Sequence, residues 1–278
     1  VATVVTRVVV LSKRFRLTSY LVECLALDGQ LAGVIYEERF RTKGDTWRYL
    51  RRTARREGFW HTLDALAYEV WNRIARRSEF ARRAHQILPL ATADAMVAGT
   101  APVYTVADHN APDTLALIRS LEPDLLVVHA CGILKPATYG LARLAAINIH
   151  CGVLPEYRGH ASTFWSMFNE DADNIGVTVH LVAKTVDTGA PVGITRVPMS
   201  ADDDDMTMWL KAFRAGTEIV RRVARDADHN AVPTGRYEGR TGPHYPRQGL
   251  THHLRFRVSR LPRLRAAARH RAADASRA

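Results

Sequence analysis

An apolar, β-branched run at Thr3–Leu11, a helical stretch at Ser19–Leu27 and a second apolar run at Leu31–Tyr36 constrain this chain most. Strand, helix and strand in that order argue for parallel neighbours in one sheet. The alternation continues downstream. Val103–Val106 reads as a short strand. Pro112–Leu121 reads as a helix with proline in its first turn, where proline is favoured. Asp124–Val128 is predicted as a buried strand, and Ala146–His150 and Val177–His180 as two more. A helix opens at Asp202–Asp205 and runs to about Arg225. Acidic residues suit the positive end of its dipole, and Met206, Leu210 and Phe213 supply its apolar face. The predicted class is α/β with an open, mostly parallel sheet.

Between the second and third strands, Asp45–Arg56 and Trp60–Arg83 read as two helices, an insertion at about residues 40–85. Trp60, Leu63, Leu66, Ala67, Val70, Trp71 and Ile74 fall at helical spacing. One reading makes them the core of a packing appendage, with Trp60 and Trp71 buried. The other makes the insertion an acceptor-binding lid or an oligomer contact.

Charge is spread unevenly over the 278 residues. The net charge is +11. Residues 39–83 hold thirteen Lys or Arg against five Asp or Glu, and residues 251–278 hold eight Arg against Asp274 alone. What remains is mildly acidic. The favoured reading is arginine on solvated helix faces; a phosphate or nucleic-acid site is the less favoured one. His244, His252 and His253 are expected to be solvated. The last twenty or so residues are expected to form a loose basic helix or none, so that removing residues 251–278 leaves the fold intact. No apolar run reaches the ~18 residues of a membrane span, so no membrane partner is expected. Three cysteines, Cys24, Cys131 and Cys151, lack metal spacing, and their small odd number fits a reducing cytoplasm.

The chemistry is concentrated in one segment. Asn148-Ile-His150 is followed by Leu154-Pro155-Glu156-Tyr157-Arg158-Gly159, by Val177-Thr178-Val179-His180 and by Asp187-Thr188-Gly189. Residues two apart on a strand share a face, so Asn148 and His150 point the same way at a strand end, where open α/β sheets bind ligands. An amide donor, an imidazole and a carboxylate together suit acyl transfer through a tetrahedral intermediate.

This string resembles the formyltransferase family that uses 10-formyltetrahydrofolate, which includes glycinamide ribonucleotide, methionyl-tRNA and sugar N-formyltransferases. The matching positions are Asn148, His150, Leu154, Pro155, Tyr157, Gly159, Thr178, Val179, His180, Asp187 and Gly189, within a resemblance from Asp124 to Val197. It implies a Rossmann-like sheet of the formyltransferase type. The helical insertion then belongs to a catalytic domain of residues 1–200, and residues 201–278 form a C-terminal helix and basic tail. It implies that Asn148 and a protonated His150 stabilise the oxyanion. Asp187 would keep His150 cationic and receive or relay the amine's proton, which requires that its own pKa not fall too far. His180 would lie in the site or behind it. Gly132, Ile133 and Leu134 would hold the folate's pterin ring, with Leu154 and Gly189 on the cofactor side and Arg158 and Gly159 on the acceptor side. No metal is implied.

Two departures bear on the acceptor. The segment Leu11–Thr18 lacks the glycines that hold phosphate in the glycinamide ribonucleotide enzyme. The stretch after Asp187 lacks the alternating strands of the barrel found in the methionyl-tRNA enzyme. The expected acceptor is therefore a small-molecule amine, on an amino sugar or a nucleotide-linked amino sugar. A methionyl-tRNA formyltransferase-like enzyme, a 10-formyltetrahydrofolate hydrolase and a degenerate nucleic-acid-binding member are the alternatives. A homodimer is left open.

Overall fold

Nine strands carry the architecture among the residues that the computed structural model describes, 5–38, 43–89, 99–226, 232–237 and 241–275. They are β1 (Val8–Ser12), β2 (Leu31–Glu37), β3 (Val103–Val106), β4 (Leu125–His129), β5 (Ala145–His150), β6 (Arg158–Gly159), β7 (Gly176–Leu181), β8 (Pro191–Arg196) and β9 (His244–Tyr245). Seven form one sheet in the order β3-β2-β1-β4-β5-β7-β8, and β6 pairs with β9 apart from it. The strands from β3 to β5 run parallel; β7 and β8 are antiparallel additions at one edge. The chain before residue 5, including part of the first predicted strand, lies outside the described residues.

Period-two alternation explains the two cores. Val8, Val10, Val34, Leu125, Val127, Ile147 and Ile149 face the helices Arg16–Leu27 and Asp205–Asp226. Val9, Leu11, Ile35, Leu126, Val128 and Ala146 face the other side, toward the helix Pro112–Ser120. A sheet covered on both faces needs apolar residues at every position, which is why these strands read as unbroken runs. Met206, Leu210, Phe213 and Ile219 sit in the first core, so residues on both sides of the boundary drawn at residue 200 share it.

The insertion departs from the sequence reading. It forms the helices Lys43–Glu57, Phe59–Ala75 and Arg77–Ile87. The helix expected over Trp60–Arg83 breaks at Arg76, which leaves helical dihedrals (φ −107°, ψ 2°) and turns its guanidinium inward. Arg76 donates to both oxygens of Asp205, at 2.9 and 3.2 Å. Ala84 and Leu88 enter the first core. Trp71 packs its ring against His253, but Trp60 is not core: it is 79% exposed.

The tail departs further. Leu250–Arg255, a π-helical turn at Phe256–Arg260 and Leu261–Ala275 run on as one helical segment. Phe256, Leu261 and Leu264 are buried in a third core with Phe164, Trp165 and Met208. The five-residue step from Phe256 to Leu261 matches the i to i+5 spacing of the π turn, which keeps both side chains on the buried face. The expected loose tail is thus overturned by packing, and the same buried contacts argue against removing residues 251–278 without effect on the fold. His253 is 1% exposed and lies against Tyr68, Trp71, Phe164 and Phe256, because its stretch of chain is clamped between insertion and core. His252 is partly buried and His244 is exposed.

The arginines are not all on solvated faces either. Asp204 is fully buried. It accepts from the backbone N–H groups of Met206 and Thr207 at 3.1 and 3.0 Å, from Arg83 at 3.3 Å and from Arg257 at 3.0 Å. The insertion, the tail and the long C-terminal helix therefore meet at one acidic corner. The acids of the helix start cap its first turn and also bind the two basic segments to the domain.

Candidate active site

Asn148 and His150 lie on β5, one residue apart from Ile147 and Ile149, which face the first core. Antiparallel pairing sets His180 of β7 opposite Asn148, so their side chains share a face. The Asn148 amide Nδ2 donates to His180 Nε2 at 3.1 Å. His180 Nδ1 lies 2.8 Å from the Leu181 carbonyl. A carbonyl only accepts, so Nδ1 carries the proton and Nε2 is left to accept from Asn148. The second amide hydrogen of Asn148 remains available. The sequence reading left His180 undecided; the strand register places it inside the cluster.

His150 is held from the other side. Its Nε2 donates to the Tyr157 carbonyl at 2.7 Å. This bond exists because residue 152 is glycine: a Cβ there would strike the Tyr157 carbonyl, His150 Nε2 and Ser162. His150 Nδ1 then faces Asp187 Oδ2 at 3.5 Å. Nδ1 is the atom at which this ring gains or lacks a second proton.

Asp187 reaches the cluster from the turn after β7. Its backbone is left-handed (φ 54°), a conformation Asp tolerates better than most residues. Its Oδ2 accepts the Gly159 amide at 2.9 Å, and its Oδ1 lies 3.5 Å from His180 Nε2. Gly159 has φ 94°, and a Cβ on it would meet the Tyr245 carbonyl, so glycine alone lets this amide approach. Gly189 lies against β7 so closely that a Cβ would collide with the Leu181 carbonyl. Its role in this structure is to close the Asp187 turn.

The electrostatics correct two expectations. Burial lowers the His150 pKa and outweighs the raising effects of Asp187 and the Tyr157 carbonyl. The resting imidazole is therefore neutral at neutral pH rather than held cationic by Asp187. Burial would raise Asp187, but the His180 and His150 imidazoles and the Gly159 amide outweigh it and hold the carboxyl at about 2. Asp187 stays an anion and is a poor proton acceptor, and the His150 Nδ1 beside it is the neutral basic nitrogen of the cluster. Cys151, next in sequence, is pushed up to about 12 by burial and takes no part.

The remaining predicted positions fall in two places. Leu154 is fully buried, and its N–H donates to Thr178 Oγ1 at 3.0 Å. Arg158 belongs to the β6–β9 bridge, and its charge disfavours a cationic His150. Gly132, Ile133 and Leu134 follow β4 in a separate loop. Gly132 sits against the Glu37 carboxylate and Leu134 faces into the second core. Ile133 is 74% exposed, so of the two apolar side chains it is the one open to a ligand.

Two positions escaped the sequence reading. Asn110 clamps the 132–135 loop: its Nδ2 donates to the Ile133 carbonyl at 3.1 Å, and its Oδ1 accepts from the Lys135 N–H at 2.7 Å and the Thr138 hydroxyl at 2.8 Å. The Asp108-His109-Asn110 sequence, with Asp108 Oδ1 accepting the Asn110 N–H at 2.9 Å, is an Asx turn that signals a fixed corner. Tyr237 is the second. Its phenol is pushed up to about 12 by burial, with Asp187 and Glu156 adding to the effect. Nothing in the sequence around it points to the site.

Among the described residues, no group of three or more His, Cys, Asp or Glu is placed to hold a metal ion. No helix among them is long and apolar enough to cross a membrane.

Comparison with known proteins returns the same segment. The profile of the Formyl transferase family matches residues 75–223, more than half of the chain. A methionyl-tRNA formyltransferase of Chlorobium chlorochromatii is 33% identical over 127 residues, covering 44% of this chain and 40% of that protein. One from Synechocystis is 29% identical over 148 residues, covering 52% of this chain and 44% of its own length. The chain thus spans less than half the length of these curated relatives. Two solved structures share the fold. A phosphoribosylglycinamide formyltransferase from Anaplasma phagocytophilum has a TM-score of 0.52 at 16% identity, over 84% of this chain and 96% of that one. A sugar N-formyltransferase from a Shewanella species has a TM-score of 0.50 at 14% identity, over 86% and 76%.

Proposed function

The chain belongs to the formyl transferase family, and from that premise we propose that it moves a formyl group from 10-formyltetrahydrofolate to a primary amine on an amino sugar or nucleotide-linked amino sugar. One observation carries the proposal: Asn148, His150, His180 and Asp187 meet in a single buried cluster with a neutral imidazole beside a permanent carboxylate.

The chemistry follows from those protonation states. The amine attacks the formyl carbon as its free base, and the carbonyl oxygen becomes an oxyanion. The second amide hydrogen of Asn148 donates to it; such a donor is worth ~3 kcal/mol in a water-excluded site. His180 fixes which way that amide points. His150 Nδ1 takes the proton released by the amine, and Asp187 stabilises the imidazolium that forms. The same proton then returns to N10 as the leaving nitrogen.

The loop after β4 supports the cosubstrate side of this reading. Asn110 immobilises the 132–135 loop and leaves Ile133 apolar and exposed. An apolar side chain on a fixed loop is a surface a flat heterocycle covers. Beyond Tyr157, a cavity of about 440 Å³ is lined in part by Glu156 and Asp171. Carboxylates there suit the hydroxyls of a sugar and repel phosphate, so this hollow favours the sugar part of a small acceptor over RNA, and the diphosphate of a nucleotide-linked acceptor would have to lie outside it. The methionyl-tRNA formyltransferases among the relatives support a second reading, with initiator tRNA as the acceptor.

The test is consumption of 10-formyltetrahydrofolate with nucleotide-linked amino sugars, with charged initiator tRNA and with no acceptor. Turnover with a sugar amine supports the first reading. Salt-sensitive turnover with tRNA alone supports the second, and equal turnover without acceptor identifies a hydrolase.

A further inference from the structure

The Phe59–Ala75 helix docks on the domain by one face. On that face Tyr68 and Trp71 pack on His253, and Asp64 accepts the N–H of Thr251. Its other face carries Phe59, Trp60, Leu63, Leu66, Val70 and Ile74, all exposed, with Ile74 at 78%. A helix apolar on both faces is ordinarily covered on both, and a contiguous exposed stripe of this kind marks an interaction surface.

The surroundings indicate what covers it. Arg73 flanks Val70 and Ile74 on the same helix, and Arg77 follows. The preceding helix, Lys43–Glu57, ends at Gly58 beside Phe59 and exposes Arg51, Arg52, Arg55 and Arg56. Trp47, Arg51 and Arg55 recur every four residues, so they share one side, and Trp47 is exposed like Trp60. The exposed acids nearby are few, Glu69 foremost. Exposed aromatic and aliphatic side chains close in sequence to exposed arginines are the composition of a segment that lies in a lipid interface. Its apolar face enters the headgroup boundary and its basic residues meet anionic headgroups. A second copy of the chain would instead bring the same arginines face to face.

We propose that the helical insertion, through the Phe59–Ile74 stripe and the arginines of the preceding helix, binds the surface of an anionic membrane without crossing it. This contact is separate from spanning, which no described helix is apolar enough to do.

The experiment uses the full chain with vesicles of equal phosphatidylglycerol and phosphatidylcholine, and vesicles of phosphatidylcholine alone, in co-sedimentation at low and high salt. Two variants accompany it: Phe59→Ser with Trp60→Ser and Val70→Ser, and Arg51→Glu with Arg55→Glu. Every altered side chain is exposed, and thermal melting checks that folding is retained. The wild type is expected to bind the anionic vesicles, more weakly at high salt. The apolar variant should lose on the order of tenfold or more in partitioning, and the charge variant should lose the preference for anionic lipid. No binding to either vesicle, equal binding to both, or binding untouched by the apolar variant overturns the proposal. So does a wild-type dimer in light scattering that the apolar variant dissociates, which would assign the stripe to a second copy.

Discussion

Asp187 and Asp204 are both buried carboxylates held below the usual carboxylate range, yet they are partnered in opposite ways. Asp204 is met by Arg83, Arg257 and two backbone amides, and Arg76 is bonded to its neighbour Asp205. Guanidinium does not give up its proton in proteins, so that charge is cancelled permanently and the corner is structural. Asp187 is met by two imidazoles and one amide. Imidazole gains and loses a proton far more readily than guanidinium, so in the proposed reaction the charge of Asp187 balances a His150 that becomes cationic. The partner, more than the burial of the acid, separates a joint from a reactive group.

Removing Arg76 tests the structural half. Arg76→Ala leaves Asp205 buried beside Asp204 without its main cation, and breaking a buried pair in this way typically costs about 3–5 kcal/mol. Denaturant unfolding should show that loss, while turnover per folded molecule stays near wild type. A change under about 1 kcal/mol would mean that the corner carries little of the stability.

The reactive half is read in rate. His150→Ala and Asp187→Asn should each lower formyl transfer on the order of a hundredfold or more, with the melting temperature held far better than in Arg76→Ala. Asparagine is chosen because it too tolerates the left-handed backbone at residue 187. Near-normal turnover in both variants would remove the cluster from the mechanism.

A smaller effect distinguishes the two through pH. The Asp187 pKa is depressed in the folded state, from 3.8 to about 2. Its stabilising contribution is therefore complete above about pH 4 and lost as pH falls through about 2. The linkage is worth about 2 kcal/mol. The stability gap between wild type and Asp187→Asn should narrow across that window. A gap that stays constant down to pH 2 would mean that the carboxylate is not held by its imidazoles.

The smallest expected effect is the control. Arg51 is exposed on the insertion, so Arg51→Ala should shift stability by no more than about 0.5 kcal/mol, against the large loss for Arg76→Ala. Comparable losses would show that the basic residues of the insertion act as one network.

Legibility differed by region for physical reasons. The strands β1, β2 and β4 were readable because strands buried on both faces are apolar along most of their length. That Asn148, His150 and Asp187 would lie together was readable from their types and spacing, and the structure brings them into one cluster. His180 was half readable, since its membership depends on the antiparallel register of β5 and β7. Asn110 was legible only as a turn residue, since its bonds to the 132–135 loop are long-range, and no local pattern marks Tyr237. His253 looked like one of three polar-segment histidines until the tail packed over it.

The sequence by itself determined the α/β alternation, the polar groups that the fold gathers at the strand end and the family to which the chain belongs, because each is written in short-range spacing. Tertiary structure decided the rest. Burial, a property of the whole fold, lowers the pKa of His150, while the imidazoles and the Gly159 amide that the fold brings to Asp187 outweigh burial there and keep it an anion. Packing decided which arginines became internal joints and which stayed on the surface, since a guanidinium's role depends on which acid the fold brings to it. It also left one face of the Phe59–Ala75 helix bare, a distinction that helical periodicity cannot make when both faces are apolar.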